Sequence, residues 1–300
     1  MLLHRAVRTI SPELPQSATT SQGTPMPSAQ LVKDPAAQQI PDAAKWDPTL
    51  TERVVGLLRP IAKHYFRSEV HNLARIPAGG ALLVSNHSGG PTTTDLPTFA
   101  VHFYDRFGYD RPLYTLSHDV LSVGLTKQFF QRIGFIPASR DNAARALASD
   151  AAVMVFPGGD YDAMRPTLQQ NVIDFNGRTG YVRTAIEAGV PIVPIVSIGG
   201  QETQFFLTRG TGLAKRLVFI KRLTRSEMVP IAAGFPFGLT LGGSNLPLPS
   251  KIVTAVLAPI DITARFGEDP DVAKVDAHVR KVMQTALDRL ARQRRLPLIG

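Results

Sequence analysis

Four short apolar runs constrain this chain most, each closed by a glycine or proline turn: residues 81–85, 134–137, 152–156 and 190–196. A run this short, bounded by turn residues, reads as a buried strand. Helical stretches lie between them. Residues 141–149 are alanine-rich, and residues 178–188 end at Gly189, a natural left-handed cap. Continuously apolar strands alternating with helices predict an α/β fold, a single domain with a largely parallel central sheet flanked by helices. In such sheets functional groups gather just beyond the carboxyl ends of the strands.

The flanks read differently. Residues 1–45, rich in Pro, Ser, Thr, Gln and Ala, bury too little apolar surface to offset their ordering entropy and are expected to be a disordered arm. Residues 46–300 then form one folded domain. Residues 51–67 predict an amphipathic N-terminal helix. Val54, Val55, Leu57, Leu58, Ile61, Ala62, Tyr65 and Phe66 share one face, and Glu52, Arg53, Arg59, Lys63 and Arg67 lie largely opposite. Pro60 splits or kinks it, and its apolar face either covers the sheet or lies in a membrane interface. At the other end Asp269 is the expected cap and Pro270 the first position of a long helix carrying Val272, Val275, Val279, Val282, Ala286 and Leu290 on one face.

Composition removes several classes. The absence of cysteine excludes disulfide scaffolds, thiol nucleophiles and thiolate zinc sites, and fits a reducing compartment. The longest apolar stretches carry Pro or Gly and fall short of the roughly 20 residues of a spanning helix. The start, MLLHRAVRTI, lacks the apolar core of a secretory signal. Lys and Arg number 33 against 24 Asp and Glu, and the excess is local. Residues 205–230 hold Arg209, Lys215, Arg216, Lys221, Arg222 and Arg225 against Glu227, and residues 280–295 hold six basic residues against Asp288. These are two solvated faces or a surface for an anionic partner. No nucleic-acid motif accompanies them, so no nucleic-acid partner is expected. There is no P-loop, dinucleotide fingerprint or G-x-S-x-G elbow, and Gly242-Gly243-Ser244-Asn245 is followed by Leu246. No metal site is predicted; His118-Asp119 has no partner histidine at helical spacing and reads as loop or helix polarity.

Chemistry concentrates after the strands. Asn86-His87-Ser88-Gly89-Gly90 follows the first run directly, and Asp95 stands eight residues after His87 at the start of a helical stretch. A carboxylate there reaches back to the imidazole, an arrangement suited to general-base catalysis. The plain alternative is a loop histidine beside a helix-capping aspartate. Gly158-Gly159-Asp160-Tyr161-Asp162 repeats the strand-to-glycine pattern, either as a nest for an oxyanion or phosphate or as an ordinary turn. Arg140 and Arg165 follow the second and third runs and would project at one sheet edge, where arginine binds phosphate oxygens.

Four blocks in this order resemble the glycerophospholipid acyltransferase superfamily, which holds bacterial 1-acylglycerol-3-phosphate acyltransferase and the more distant mono- and diacylglycerol acyltransferases. They are NHSGGPTTTD (residues 86–95), GFIPASR (134–140), VFPGGDYD (155–162) and VPIVPIV (190–196), and the resemblance covers about residues 48–262. Two departures stand out. The family's first block has four residues between His and Asp, where His87 and Asp95 have seven. The third block usually reads Phe-Pro-Glu-Gly, and Gly158 stands in place of the glutamate, a form closer to the neutral-glycerolipid branch. Asp160 or Asp162 is left to supply that carboxylate.

The resemblance implies acyl transfer from acyl-CoA or acyl-carrier protein to a hydroxyl of a glycerolipid or lysophospholipid, with no cofactor. His87 would be the base and Asp95 its orienting partner. Asn86, Ser88, Arg140, Gly158, Gly159, Asp160 and Arg165 would contact substrate. The acyl groove falls to residues 96–103 or 230–249. The implied location is cytoplasmic, on the anionic inner face of the cell membrane; oligomeric state is left open. The competing expectation is a non-catalytic acyl-lipid-binding protein on the same scaffold.

Overall fold

A computed structural model describes residues 45–90, 93–117, 126–216, 228–242, 245–294 and 296. The proposed arm before residue 45, His118-Asp119, Lys221, Arg222, Arg225 and the Gly243-Ser244 pair lie outside the described residues.

The strands are β1 (Glu69–His71), β2 (Ala81–Ser85), β3 (Leu113–Ser117), β4 (Phe135–Pro137), β5 (Ala152–Val155), β6 (Ile192–Ile198), β7 (Phe205–Thr208), β8 (Ile231–Gly234), β9 (Gly238–Leu241) and β10 (Val253–Val256). The helices are α1 (Pro48–Pro60), α2 (Asp95–Phe107), α3 (Lys127–Arg132), α4 (Arg140–Ala148), α5 (Gly159–Ala163), α6 (Gly180–Ala188), α7 (Thr211–Arg216), α8 (Ile262–Phe266) and α9 (Val272–Gln293). A seven-stranded sheet runs β1-β10-β6-β2-β5-β3-β4, and β7-β8-β9 form a separate three-stranded sheet. In the larger sheet the β10–β6 pairing is antiparallel and the others are parallel. The expected α/β fold, largely parallel and flanked by helices, is the one observed.

All four anticipated strands are present. β2 and β6 are buried at every position, because helices cover both faces. Alternation divides their side chains. Leu82, Val84, Val153, Ile192 and Val196 pack with Leu147, Val182, Ala185, Val275, Val279 and Met283 of α4, α6 and α9. Ala81, Leu83, Met154, Val193 and Ile195 pack with Val55 of α1 and Leu96, Phe99, Phe103 and Tyr104 of α2.

The N-terminal helix packs on the domain with part of its apolar face, the first of the two placements foreseen for it. Asp47 caps α1 by accepting from the Leu50 N–H at 3.0 Å, and Val55, Ala62 and Phe66 are buried on the domain. At Pro60, which has no N–H to donate, the helix loosens into a π-helical turn over Ile61–Tyr65. Leu57, Ile61 and Tyr65 stay exposed.

The last helix corrects the expected cap. Asp271, not Asp269, accepts from the Ala273 and Lys274 N–H groups, and the helix opens at Val272 with Pro270 still outside it. The strands that lacked a clean apolar run were not foreseen. β1, β7, β8 and β9 are partly exposed or irregular in burial, which hides them from periodicity, while the largely buried β3 and the regularly alternating β10 were not foreseen either.

Candidate active site

The central order β6-β2-β5 sets the site, because it brings the ends of three parallel strands together. β2 runs straight into Asn86 and His87. The Asn86 amide lies flat against β6: its Nδ2 donates to the Ser197 carbonyl at 2.9 Å, and its Oδ1 accepts from the Ser197 N–H at 2.8 Å. A side-chain amide that satisfies both backbone groups of a buried strand residue anchors the loop rather than a ligand.

Next comes the pair. His87 Nδ1 lies 3.0 Å from Asp95 Oδ2, which also accepts the Ser88 N–H at 2.8 Å. Asp95 Oδ1 accepts the Leu96 N–H at 2.9 Å at the start of α2. The Asp95 side chain is 3% exposed and that of His87 13%. The seven intervening residues do not separate the pair, because the chain turns at Gly89 and Gly90. Gly89 and Gly90 adopt left-handed φ of 88° and 60°, and the Thr93 N–H donates to the Gly90 carbonyl at 3.1 Å. With Nδ1 engaged, Nε2 is the ring nitrogen that can exchange a proton with another group. Burial pushes the imidazole down, but the Asp95 carboxylate, by charge and hydrogen bond, with Asp162 and Asp160 behind it, carries it above the ordinary histidine value.

β5 supplies the other wall. The Phe156 ring lies under the imidazole, centroids 4.2 Å apart. Asp162, in α5, accepts the His87 backbone N–H at 2.7 Å, and Arg165 Nη2 donates to the other carboxylate oxygen at 2.8 Å. Both side chains are buried, 3% and 4% exposed. Burial holds the Asp162 carboxyl above its usual range despite Arg165 and the His87 N–H. Gln201 Nε2 donates to the Asp162 carbonyl at 3.1 Å, joining α5 to the exit of β6. A small cavity beside His87 is lined by Asn86, Ser88, Asp162, Ser197 and Gln201, and the buried Ser88 Oγ and Gln201 Oε1 have no protein partner.

This histidine–aspartate pair at a strand exit can abstract a proton from a hydroxyl, and comparison with known proteins shows the context. The sequence pattern of the Acyltransferase family matches residues 67–198. An uncharacterized protein of Mycobacterium tuberculosis is 33% identical over 94% of this chain and 81% of its own length. The chain belongs to the glycerophospholipid acyltransferase superfamily. The chain is also similar to human 2-acylglycerol O-acyltransferase 3, 24% identical over 76% of this chain and 68% of that protein. A mouse DGAT1/2-independent enzyme synthesizing storage lipids is 27% identical over 63% of this chain and 56% of its own. The crystal structure of the 1-acyl-sn-glycerophosphate acyltransferase PlsC from Thermotoga maritima shares the fold, with a TM-score of 0.50 and 14% identity over 80% of this chain and 81% of that one.

Within that superfamily the residues of the third block divide their work unexpectedly. A Cβ built on Gly158 would stand 2.5 Å from the Asp162 Cβ and 3.1 Å from its Cγ. Asp162 therefore occupies the space a side chain at 158 would take, and it is Asp162, not Asp160, whose carboxylate meets the histidine loop. Asp160 instead faces Arg178, at 3.5 Å, whose Nη1 also donates to the Gly158 carbonyl at 3.0 Å. The Gly159 N–H closes a turn onto the Phe156 carbonyl at 3.0 Å, so this amide is not the oxyanion donor expected of it.

The two arginines expected at one edge have separate engagements. Arg140 is exposed and pairs with Glu187 of α6 at 3.4 Å. Arg165 turns inward to Asp162 and the Asp174 carbonyl and presents no guanidinium to a phosphate. The structure adds Arg209, which the sequence offered only as part of a basic patch. It stacks over Tyr161 at 4.0 Å, donates Nε–H to the Tyr161 carbonyl at 2.9 Å, and holds a buried Nη2 with no protein partner.

Proposed function

We propose that this acyltransferase moves a fatty acyl group from a thioester, acyl-CoA or acyl-carrier protein, to a hydroxyl of a glycerolipid. The observation that carries the reading is the 3.0 Å contact between His87 Nδ1 and the buried Asp95 carboxylate at the exit of β2. His87 Nε2 takes the hydroxyl proton as the oxygen attacks the thioester carbonyl. The carbon–sulfur bond breaks, and the imidazolium returns the proton to the departing thiolate. A thioester is already activated, so neither a covalent enzyme intermediate nor a cofactor is required. Asp95 fixes the tautomer and stabilises the imidazolium. General-base help of this kind contributes roughly 10²–10⁴-fold, and the Gly158 N–H is the candidate donor to the tetrahedral oxyanion.

An uncharged acceptor fits better than a phosphorylated one. Arg140 and Arg165, the arginines expected to bind phosphate, are engaged by Glu187 and Asp162, and Asp162 brings a buried carboxylate beside the base. The relatives named for 2-acylglycerol and storage lipids point the same way. Among the described residues no helix is long and apolar enough to cross a membrane, and the enzyme acts at the inner face of the cell membrane on lipid held there.

The test is incubation with labelled acyl-CoA and a total lipid extract, reading which lipid class gains label. Neutral glycerolipid is expected to be labelled, and His87→Ala to lose transfer by at least about 10²-fold with an unchanged circular dichroism spectrum. Near-normal turnover in that variant would remove His87 from the mechanism. Absence of thiol release with every hydroxyl acceptor would leave a lipid-binding protein.

A further inference from the structure

The small sheet has two unlike faces. On its inner side Phe206 is 1% exposed and its ring packs on Gly90 of the histidine loop, leaving no room for a Cβ there. Ala232 is likewise buried. On the outer side the ladder aligns Phe205 with Ala233 and Ala233 with Leu239, and Ile231 with Leu241. Residues paired across neighbouring strands share a face, so Phe205, Ala233, Leu239, Ile231 and Leu241 form one apolar surface. Leu239 is 65% exposed and Leu241 62%. A one-sided antiparallel sheet ordinarily turns polar residues outward. Here the described polar residue on these rungs is Thr208, at the bulged end of β7.

The surface continues past the strands. Phe235 and Phe237, between β8 and β9, are 67% and 70% exposed, and the exposed Leu246 donates its N–H to the Phe235 carbonyl at 2.9 Å. Tyr65 ends the π-helical turn after α1, and its hydroxyl donates to the Pro247 carbonyl at 2.7 Å. An uncovered apolar surface of this extent marks an interaction site.

We propose that this outer face is where the enzyme rests on an anionic lipid bilayer. Charge decides the occupant. The sequence joining β7 to β8 carries Lys215, Arg216, Lys221, Arg222 and Arg225 against Glu227, besides Arg209 turned in on Tyr161, so the apolar sheet and a cationic segment are one continuous stretch of chain. Apolar side chains entering the headgroup boundary beside basic residues are the usual elements of interfacial binding. A second copy would bring the same cationic segment against itself. In the other basic regions several cations already have carboxylate partners. Arg294 is paired with Glu202 and Arg280 with Asp276 on α9, and Arg59 and Lys63 both hold Asp105. β7 thus touches the bilayer through Phe205 and the histidine loop through Phe206, which places the acceptor's membrane beside the base.

The inference takes its purpose from the lipid-acyltransferase reading, but its test contains no acyl donor and stands apart from catalysis. The full chain is sedimented with phosphatidylcholine vesicles with and without phosphatidylglycerol, alongside Leu239→Gln/Leu241→Gln, Phe235→Ser/Phe237→Ser and His87→Ala. The parent and His87→Ala are expected to bind the anionic vesicles alike. Each apolar variant should bind at least about 10-fold more weakly, with parental melting because the changed residues are exposed. Should the strand variant melt early, the Phe235→Ser/Phe237→Ser variant carries the comparison. Absence of parental binding, or equal binding by the well-folded variants, overturns the proposal. So does light scattering that shows a parental dimer dissolved by these substitutions while vesicle binding persists, which would give the face to a second copy.

Discussion

The backbone N–H of His87 donates to the Asp162 carboxylate at 2.7 Å, across 75 residues of sequence. That bond ties the loop after β2 to the short helix after β5, and Arg165 holds the same carboxylate from behind. The His87–Asp95 pair and the glycine turn beside it are therefore one assembly, closed by a buried ion pair.

Breaking that ion pair from one side leaves an uncompensated buried charge, which costs about 3–5 kcal/mol. Arg165→Met is expected to destabilise the protein by that amount in urea unfolding. Asp162→Asn/Arg165→Met should be milder than the sum of the singles, because neither charge is then stranded. Additive losses would show that the two side chains act independently.

The pH profile should carry the mark of Asp95. A base must be unprotonated, and His87 is held above the ordinary value of 6.5. Activity is expected to fall toward acid with a midpoint above pH 6.5, and Asp95→Asn should move that midpoint down as well as slow turnover. The linked stability has the opposite sense. A histidine whose folded value is raised favours the native state fully below its unfolded value and loses that contribution as pH rises through the folded one. The stability gap between parent and His87→Ala should therefore narrow across that interval. A midpoint that ignores Asp95→Asn would show that another group sets the limb.

Asn86 is predicted to act on position rather than on binding. Asn86→Ala orphans the Ser197 N–H and carbonyl in the interior, at about 1–3 kcal/mol for each group left unpaired. Turnover should fall more than KM rises, since the loop carrying His87 loses its anchor to β6. A rise in KM alone would return Asn86 to the substrate contacts.

Gly158 should resist enlargement. Gly158→Ala drives a Cβ into Asp162 and is expected to cost about 1–3 kcal/mol in denaturant unfolding. An unaffected variant would mean that α5 shifts freely.

The sequence by itself determined the layers and the chemistry-bearing positions. Strands buried on both faces must be continuously apolar, so β2, β5 and β6 announce themselves, and glycines stand where the chain turns left-handed or another group crowds the backbone. Half-exposed strands carry no such constraint, and β7 to β9 with their outward apolar face passed unread. Local spacing also misjudged partners. Seven residues between His87 and Asp95 looked like a departure until the turn at Gly89 and Gly90 folded them away. Arg165 looked like a ligand contact, yet it is buried on Asp162. Which carboxylate meets His87, and which arginines remain for a substrate, are relations between β2, β5 and β6, neighbours in the sheet and far apart along the chain. A one-dimensional pattern records what each residue can do, and only packing decides which groups come close enough for Coulomb attraction and hydrogen bonds to act.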